Sequence, residues 1–331
     1  MSKSAFQYKK TDYAFVATYE DGQWDEGVFQ ESDYISIPIS STVLHYGQSC
    51  FEGLKAYRTK DNHINLFRVK DNAIRFQNSC KGIMMPTYPV DKFIDAVKKT
   101  VLKNEKFVPK YGDLSTLYIR PFMIGVGHNV GVKPSPSYKF IIFVTPVGKY
   151  FDDSPVHMIT SEIDRAAPHG TGAYKVGGNY ASSLQPKEQA KLNGYKDCVF
   201  LDPKTHTKIE ECGTSNFFGI TKDHTYVTPT SPSILNSITN RSLKYIAKHI
   251  LNLNVEERDV YIDQLDQFVE AGACGTAAII TPISSITHKA HVHTFSKSGK
   301  MGPITKKLFD TLIAIQFGEL PDPDNWITII K

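Results

Sequence analysis

Lys175 is flanked by Tyr174 on one side and by Val176, Gly177 and Gly178 on the other. A lysine that forms a Schiff base must be partly neutral, so it belongs in a desolvated or cation-rich pocket rather than on a solvated face. The two glycines would let the backbone come close to a flat ring. Taken alone, a lysine is more often a solvated surface residue, so its neighbours decide the reading. Further along, Ser237-Ile238-Thr239-Asn240 precedes an amphipathic stretch with Leu243, Ile246 and Ile250. That pattern puts Ile238 and Thr239 at a helix N-terminus with free amides, suited to a phosphate, although ordinary capping needs the same geometry.

Several other signatures are out of frame. Gly125-Val126-Gly127-His128-Asn129-Val130-Gly131 has its third glycine one residue late for a dinucleotide-binding turn, and reads as a loop. Lys175 closes no G-x-x-x-x-G-K-[ST] loop, and no G-x-S-x-G elbow occurs. Cys50, Cys80, Cys198, Cys212 and Cys274 are spaced for neither a disulfide framework nor a zinc site, and read as buried free thiols. The histidines are scattered without an H-E-x-x-H arrangement, so no structural metal is expected.

The elements that must position these residues fall into two halves. Strands are expected at 13–19, 54–58 and 64–69, with a turn at Glu20-Asp21-Gly22. Helices follow, one opened by Asp71 with Ile74, Phe76 and Cys80, and one capped by Asp91 with Phe93, Ile94, Val97, Val101 and Leu102 at helical spacing. Two β-branched runs, 114–124 and 138–147, read as neighbouring strands and complete an α+β unit over 1–147. Turn formers between Pro146 and Pro155 place a linker at 148–155. Strands near 156–160, 198–201, 217–220 and 277–281 and helices at 184–192, 238–251 and 304–317 then make a second domain over 156–331. Either an α/β unit or a β-rich barrel ringed by helices satisfies that alternation.

With 331 residues the chain is long enough for two cores. Its 38 basic and 34 acidic residues are interspersed, which is not the footprint of a nucleic-acid binder. The apolar run Phe140 to Val144 is far too short to span a bilayer, and residues 1–10 lack signal and transit patterns, so a cytoplasmic location is the default expectation.

Four segments stand out together: Ala173-Tyr-Lys-Val-Gly-Gly-Asn-Tyr180, Ile209-Glu-Glu-Cys-Gly-Thr-Ser-Asn216, Ser237-Ile-Thr-Asn-Arg241 and Ala273-Cys-Gly-Thr-Ala-Ala278. In order and spacing they resemble the signature segments of the class IV pyridoxal-phosphate aminotransferases. The segment Leu44-His-Tyr-Gly-Gln-Ser-Cys-Phe-Glu-Gly-Leu-Lys-Ala-Tyr57 narrows the resemblance to the branched-chain amino acid aminotransferases. It runs from about Asp12 to the last helix, and five segments in register are specific where each alone is weak.

The resemblance implies the two-domain, D-amino acid aminotransferase-like fold of mixed α+β and α/β content, with the cofactor lysine in the larger C-terminal domain. It implies pyridoxal 5'-phosphate held as a Schiff base on Lys175, with Glu211 beside the pyridine nitrogen and Tyr180 on the phenolic oxygen. Glu210, next to Glu211 on an extended segment, would point elsewhere. Phosphate contacts would come from Ile238, Thr239, Thr276 and Arg75, the last having a helix-face salt bridge as its alternative reading. The reaction implied moves the amino group of leucine, isoleucine or valine to 2-oxoglutarate. The side-chain pocket would take Phe51 and Tyr118 from one subunit of a homodimer and Tyr46, Val130 and Val132 from the other, with the amides of Thr276 and Ala277 on the α-carboxylate. Arg120, two residues from Tyr118 and so on the same strand face, would meet a distal carboxylate; bracing the sheet against an acidic side chain is the alternative. Ala278 and Thr281 stand where some relatives carry C-x-x-C, so no thiol switch is expected there. A D-amino acid transaminase or aminodeoxychorismate lyase would keep Lys175 and Glu211 and remains the runner-up, ahead of a non-catalytic protein that has kept the fold.

Overall fold

The computed structural model describes residues 7–112, 114–148, 154–295 and 299–331. The chain forms two compact units, one of Met1–Tyr150, Tyr174–Gly178 and Ala314–Lys331, the other of Phe151–Ala173 and Asn179–Ile313. Most of the expected linker, residues 149–153, lies outside the described residues. A single cut there would put Lys175 in the second domain. The structure groups it with the first unit, because Phe51 N donates to Lys175 O (3.0 Å), Lys175 N donates to Ser79 Oγ (2.9 Å) and Cys50 bridges Val176.

The first unit is built on an antiparallel sheet of β1 (Ala14–Glu20), β2 (Ser49–Phe51), β3 (Leu54–Arg58), β4 (Ile64–Phe67), β5 (Thr116–Gly125) and β6 (Tyr138–Val147). The order β4, β3, β5, β6, β1 is extended at one edge by Ile327–Ile329 on β4 and at the other by Gln23–Trp24 on β1, while β2 pairs with β5. Alternation divides β5 and β6 between two faces. Leu117, Ile119, Met123, Phe140, Ile142 and Val144 face a core shared with α1 (Val69–Gly82) and α2 (Val90–Lys103). The other face carries Tyr118 opposite Thr145, Arg120 opposite Phe143 and Phe122 opposite Ile141.

Both expected helices exist, but neither is capped as read. Pro89 is the N-cap of α2, leaving Asp91 in its first turn, and α1 starts from Arg68 in the left-handed region (φ 51°). An acidic residue there still complements the helix dipole without capping, which is why the sequence pattern misplaces the start.

In the second unit β7 (Val156–Thr160), β8 (Asp197–Leu201), β9 (Ile209–Cys212), β10 (Ser215–Thr221), β11 (Phe268–Gly275) and β12 (Ile279–His288) pair in the order β9, β8, β7, β12, β11, β10, and β10 pairs back to β9. The choice left open by the sequence is thus resolved as a closed six-stranded ring, with parallel pairing only on the two sides of β7. Its core gathers Val199, Leu201, Phe217, Ile283 and Ile286. The strand expected at 277–281 begins later, at Ile279, because 276–278 form the turn between β11 and β12. Helix 238–251 is α-helical over α3 (Ile238–Tyr245) and widens into a π turn over Ile246–Ile250.

Phe140 is fully buried, stacked on Tyr88 at 4.2 Å and packed against Phe76 and Phe93. Phe140→Ala should destabilise the protein by roughly 3–5 kcal/mol, as large-to-small aromatic truncations in a close-packed core do. Urea unfolding followed by tryptophan fluorescence is the check, and a loss below about 1 kcal/mol would mean that the site collapses around the smaller side chain.

Candidate active site

The first unit assembles a cluster on the sheet face opposite α1 and α2. Lys175 Nζ lies 4.6 Å from the centroid of the Phe51 ring, and the Arg120 guanidinium carbon lies 4.8 Å from the same centroid. Arg120 also donates to Tyr118 Oη (3.0 Å) and has no carboxylate within ion-pair distance among the described residues, while its Nε is buried without an acceptor. The bracing reading of Arg120 therefore lacks its acidic partner. A side chain on Gly53 would run into Tyr118 Oη, so the missing Cβ is what lets the tyrosine lie there.

Arg75, on α1, makes a bidentate pair with Glu52, whose side chain is fully buried (2.7 and 2.8 Å). Two parallel N–H···O bonds fix the guanidinium plane. The salt bridge weighed as the alternative for Arg75 is real, and its carboxylate comes from the Phe-Glu-Gly segment rather than from the helix face.

Lys55, directly opposite Tyr118 in the pairing of β3 with β5, was missed by sequence reasoning although a charged residue inside an apolar strand was a visible signal. It is buried, and desolvation lowers its ammonium to about 7.

Tyr46 donates its hydroxyl to Val130 O. Val130 and Val132 are 84% and 87% exposed and Tyr46 44%. Their loop is held to the chain ahead of Tyr46 by Asn129 N donating to Ser40 O and by Ser41 Oγ donating to Val126 O.

The second unit builds its own constellation. Glu211 is buried on β9, accepts from Leu235 N (2.6 Å) and Asn216 Nδ2 (3.4 Å), and lies 3.6 Å from Arg165, another buried group that sequence reasoning missed because it sits in an irregular loop. Glu210 turns away and accepts from Ser231 Oγ (2.6 Å), its carboxyl pushed above the usual range by burial. Asn216 Nδ2 also donates to Leu235 O, and Asn240 on α3 donates to Asn216 Oδ1, which ties Glu211 to the start of that helix. Ser237 caps α3 through Asn240 N, and the amides of Ile238 and Thr239 have no backbone acceptor among the described residues. Registers Glu211 to Asn216 and Asn216 to Cys274 bring the Thr276 and Ala277 turn to the same end of the ring. Tyr180 lies on Gly177–Ser182, the short helix after Lys175.

The family model for class IV aminotransferases matches residues 49–286. This chain belongs to that family. The class IV chain is 53% identical to a branched-chain-amino-acid aminotransferase of Haemophilus influenzae, across 98% of this chain and 97% of the relative, and 50% identical to one of Helicobacter pylori, across 97% and 95%. Among solved structures it is similar to the branched-chain amino acid aminotransferase of Escherichia coli (TM-score 0.80, 27% identity, 97% of this chain and 100% of that one). The enzyme of the same name from Thermobaculum terrenum, solved in its PLP-form, matches at TM-score 0.79 and 26% identity over 97% of this chain and 99% of that one. These class IV neighbours have the mixed α and β content expected from the sequence.

Lys55 generates a pH-dependent stability in this class IV protein. The unfolded chain keeps the lysine protonated up to about 10.5 and the folded chain up to about 7, so between these values the unfolded state binds more protons and stability rises with pH. Lys55→Met removes that slope, which for one group is at most about 1.4 kcal/mol per pH unit. Urea unfolding at pH 7 and pH 9 should show wild type gaining on the variant, and parallel behaviour would mean that Lys55 titrates normally.

Proposed function

We propose that the protein transfers the amino group of a branched-chain L-amino acid, leucine, isoleucine or valine, to 2-oxoglutarate with pyridoxal 5'-phosphate as cofactor. The observation that carries this reading is the convergence of an amine, Lys175, and a guanidinium without a carboxylate partner among the described residues, Arg120, on the one Phe51 ring. An apolar wall suits a leucine side chain. The distal carboxylate of glutamate could not enter such a wall unpaired, since its desolvation would cost several kcal/mol, and Arg120 with Tyr118 supplies the charge and the hydroxyl that offset it. The names of the Haemophilus and Helicobacter relatives support branched-chain amino acid substrates over the tasks of a D-amino acid transaminase or an aminodeoxychorismate lyase.

The donor set fits the cofactor. Glu211, a buried carboxylate, is the group needed to keep a proton on a ring nitrogen; the α3 amides of Ile238 and Thr239 suit a phosphate, with Arg75 fixed by Glu52 as the cation and Thr276 as a further donor. When bound, pyridoxal phosphate supplies an aldehyde for the amine and a ring that accepts the electron pair left by a deprotonated α-carbon. Lys175 would hold it through its amine, and as a neutral amine would take the α-carbon proton and pass it on as an ammonium to the cofactor's C4′ carbon. Tyr180 orients the phenolic oxygen, and the amides of Thr276 and Ala277 orient the substrate's α-carboxylate. The exposure of Tyr46, Val130 and Val132 supports a homodimer in which these residues complete the side-chain pocket of a second copy.

Borohydride reduction of the holoenzyme followed by peptide mapping should find the cofactor on Lys175, and L-leucine should bleach the holoenzyme's visible band while D-alanine does not. Label on another lysine, or the reverse substrate preference, would sink the reading. Arg120→Met should slow the glutamate half reaction far more than the leucine one, by an amount equivalent to about 2–5 kcal/mol of transition-state binding. Single-turnover rates of the two half reactions measure this, and equal losses would place the carboxylate elsewhere.

A further inference from the structure

Three side chains of the second unit play no part in the chemistry above. His291 and His293 stand two apart on the edge strand β13 (His291–Thr294), which pairs with β12 through Ile286 opposite His293 and His288 opposite His291. That spacing puts both imidazoles on one face of the strand, where their ring centroids are 4.3 Å apart. Asp266 comes from the turn Ile262–Gln267, its Oδ1 3.0 Å from His293 Nδ1. One donor atom from each of the three lies within 4.8 Å of the others.

We propose that Asp266, His291 and His293 bind a divalent transition-metal ion such as Zn2+. Two imidazole nitrogens and one carboxylate oxygen are a borderline donor set, which suits Zn2+, Co2+ or Ni2+ and disfavours Mg2+ and Ca2+. Ligand bonds of about 2.1 Å put tetrahedral donors roughly 3.4 Å apart, so the 3.0 Å edge needs only a slight opening and the widest edge, at most 4.8 Å, must close by no more than about 1.4 Å. The exposed Asp266 and His291 can make that movement by rotation, whereas His293, with a side chain only 4% exposed, is the fixed member. Three protein ligands leave a coordination position for water. The ion would fasten β13 to the Ile262–Gln267 turn, a staple between segments well separated in sequence that no short metal motif encodes.

The test titrates chelator-treated holoenzyme with ZnCl2 by calorimetry and with CoCl2 by visible absorption. Wild type should bind one Zn2+ per chain and show ligand-field bands with Co2+, and Mg2+ should not compete. His291→Ala and Asp266→Asn alter exposed side chains, so folding is not at stake, and each should weaken Zn2+ binding by at least roughly tenfold. Zn2+ should also raise the melting temperature of wild type more than that of either variant. Absence of saturable binding to wild type, or undiminished binding to both variants, overturns the proposal.

Discussion

Two backbone hydrogen bonds at Lys175, its carbonyl accepting from Phe51 and its amide donating to Ser79, decide what its side chain can do. They clamp the lysine between β2 and α1, elements whose own positions are fixed by the Phe76, Phe93 and Phe140 core. The amine is then delivered to the Phe51 ring without depending on a mobile loop. Geometry held by main chain tolerates change in neighbouring side chains, since the clamp asks little of their identity.

Around that clamp, the recurring problem is keeping charge out of water. Each buried charge is handled differently. Glu52 is held by two parallel bonds from Arg75; Glu211 relies on a main-chain amide, an asparagine and the nearby Arg165; Lys55 is driven toward its neutral form. Arg120 also keeps a buried nitrogen without an acceptor, as Arg165 does, but it has no carboxylate within ion-pair distance among the described residues.

The sequence was most legible where chemistry and local pattern coincide. Lys175, Glu211 and the Ile238–Thr239 helix start lie in contiguous segments, and the long strands β5 and β6 announce themselves by β-branched runs. What it hid were partners distant along the chain. Glu52 for Arg75 and Arg165 for Glu211 arise from tertiary placement, which no periodicity encodes. Residues 277–278 of the turn were read as strand because these alanines carry no turn signal, and the return of 174–178 to the first unit was invisible because short strand-like contacts of that kind leave no hydrophobic period.

The outer strand Ile327–Ile329, which pairs with β4, has a bearing on biogenesis. During synthesis β4 emerges about 260 residues before this hydrogen-bonding neighbour. Until Ile327–Ile329 arrives, that edge of the sheet presents an open rim of amide and carbonyl groups, the template that promotes intermolecular β pairing. The fold thus carries a high-contact-order closure at its rim, and that rim is exposed in the interval before Ile327–Ile329 pairs.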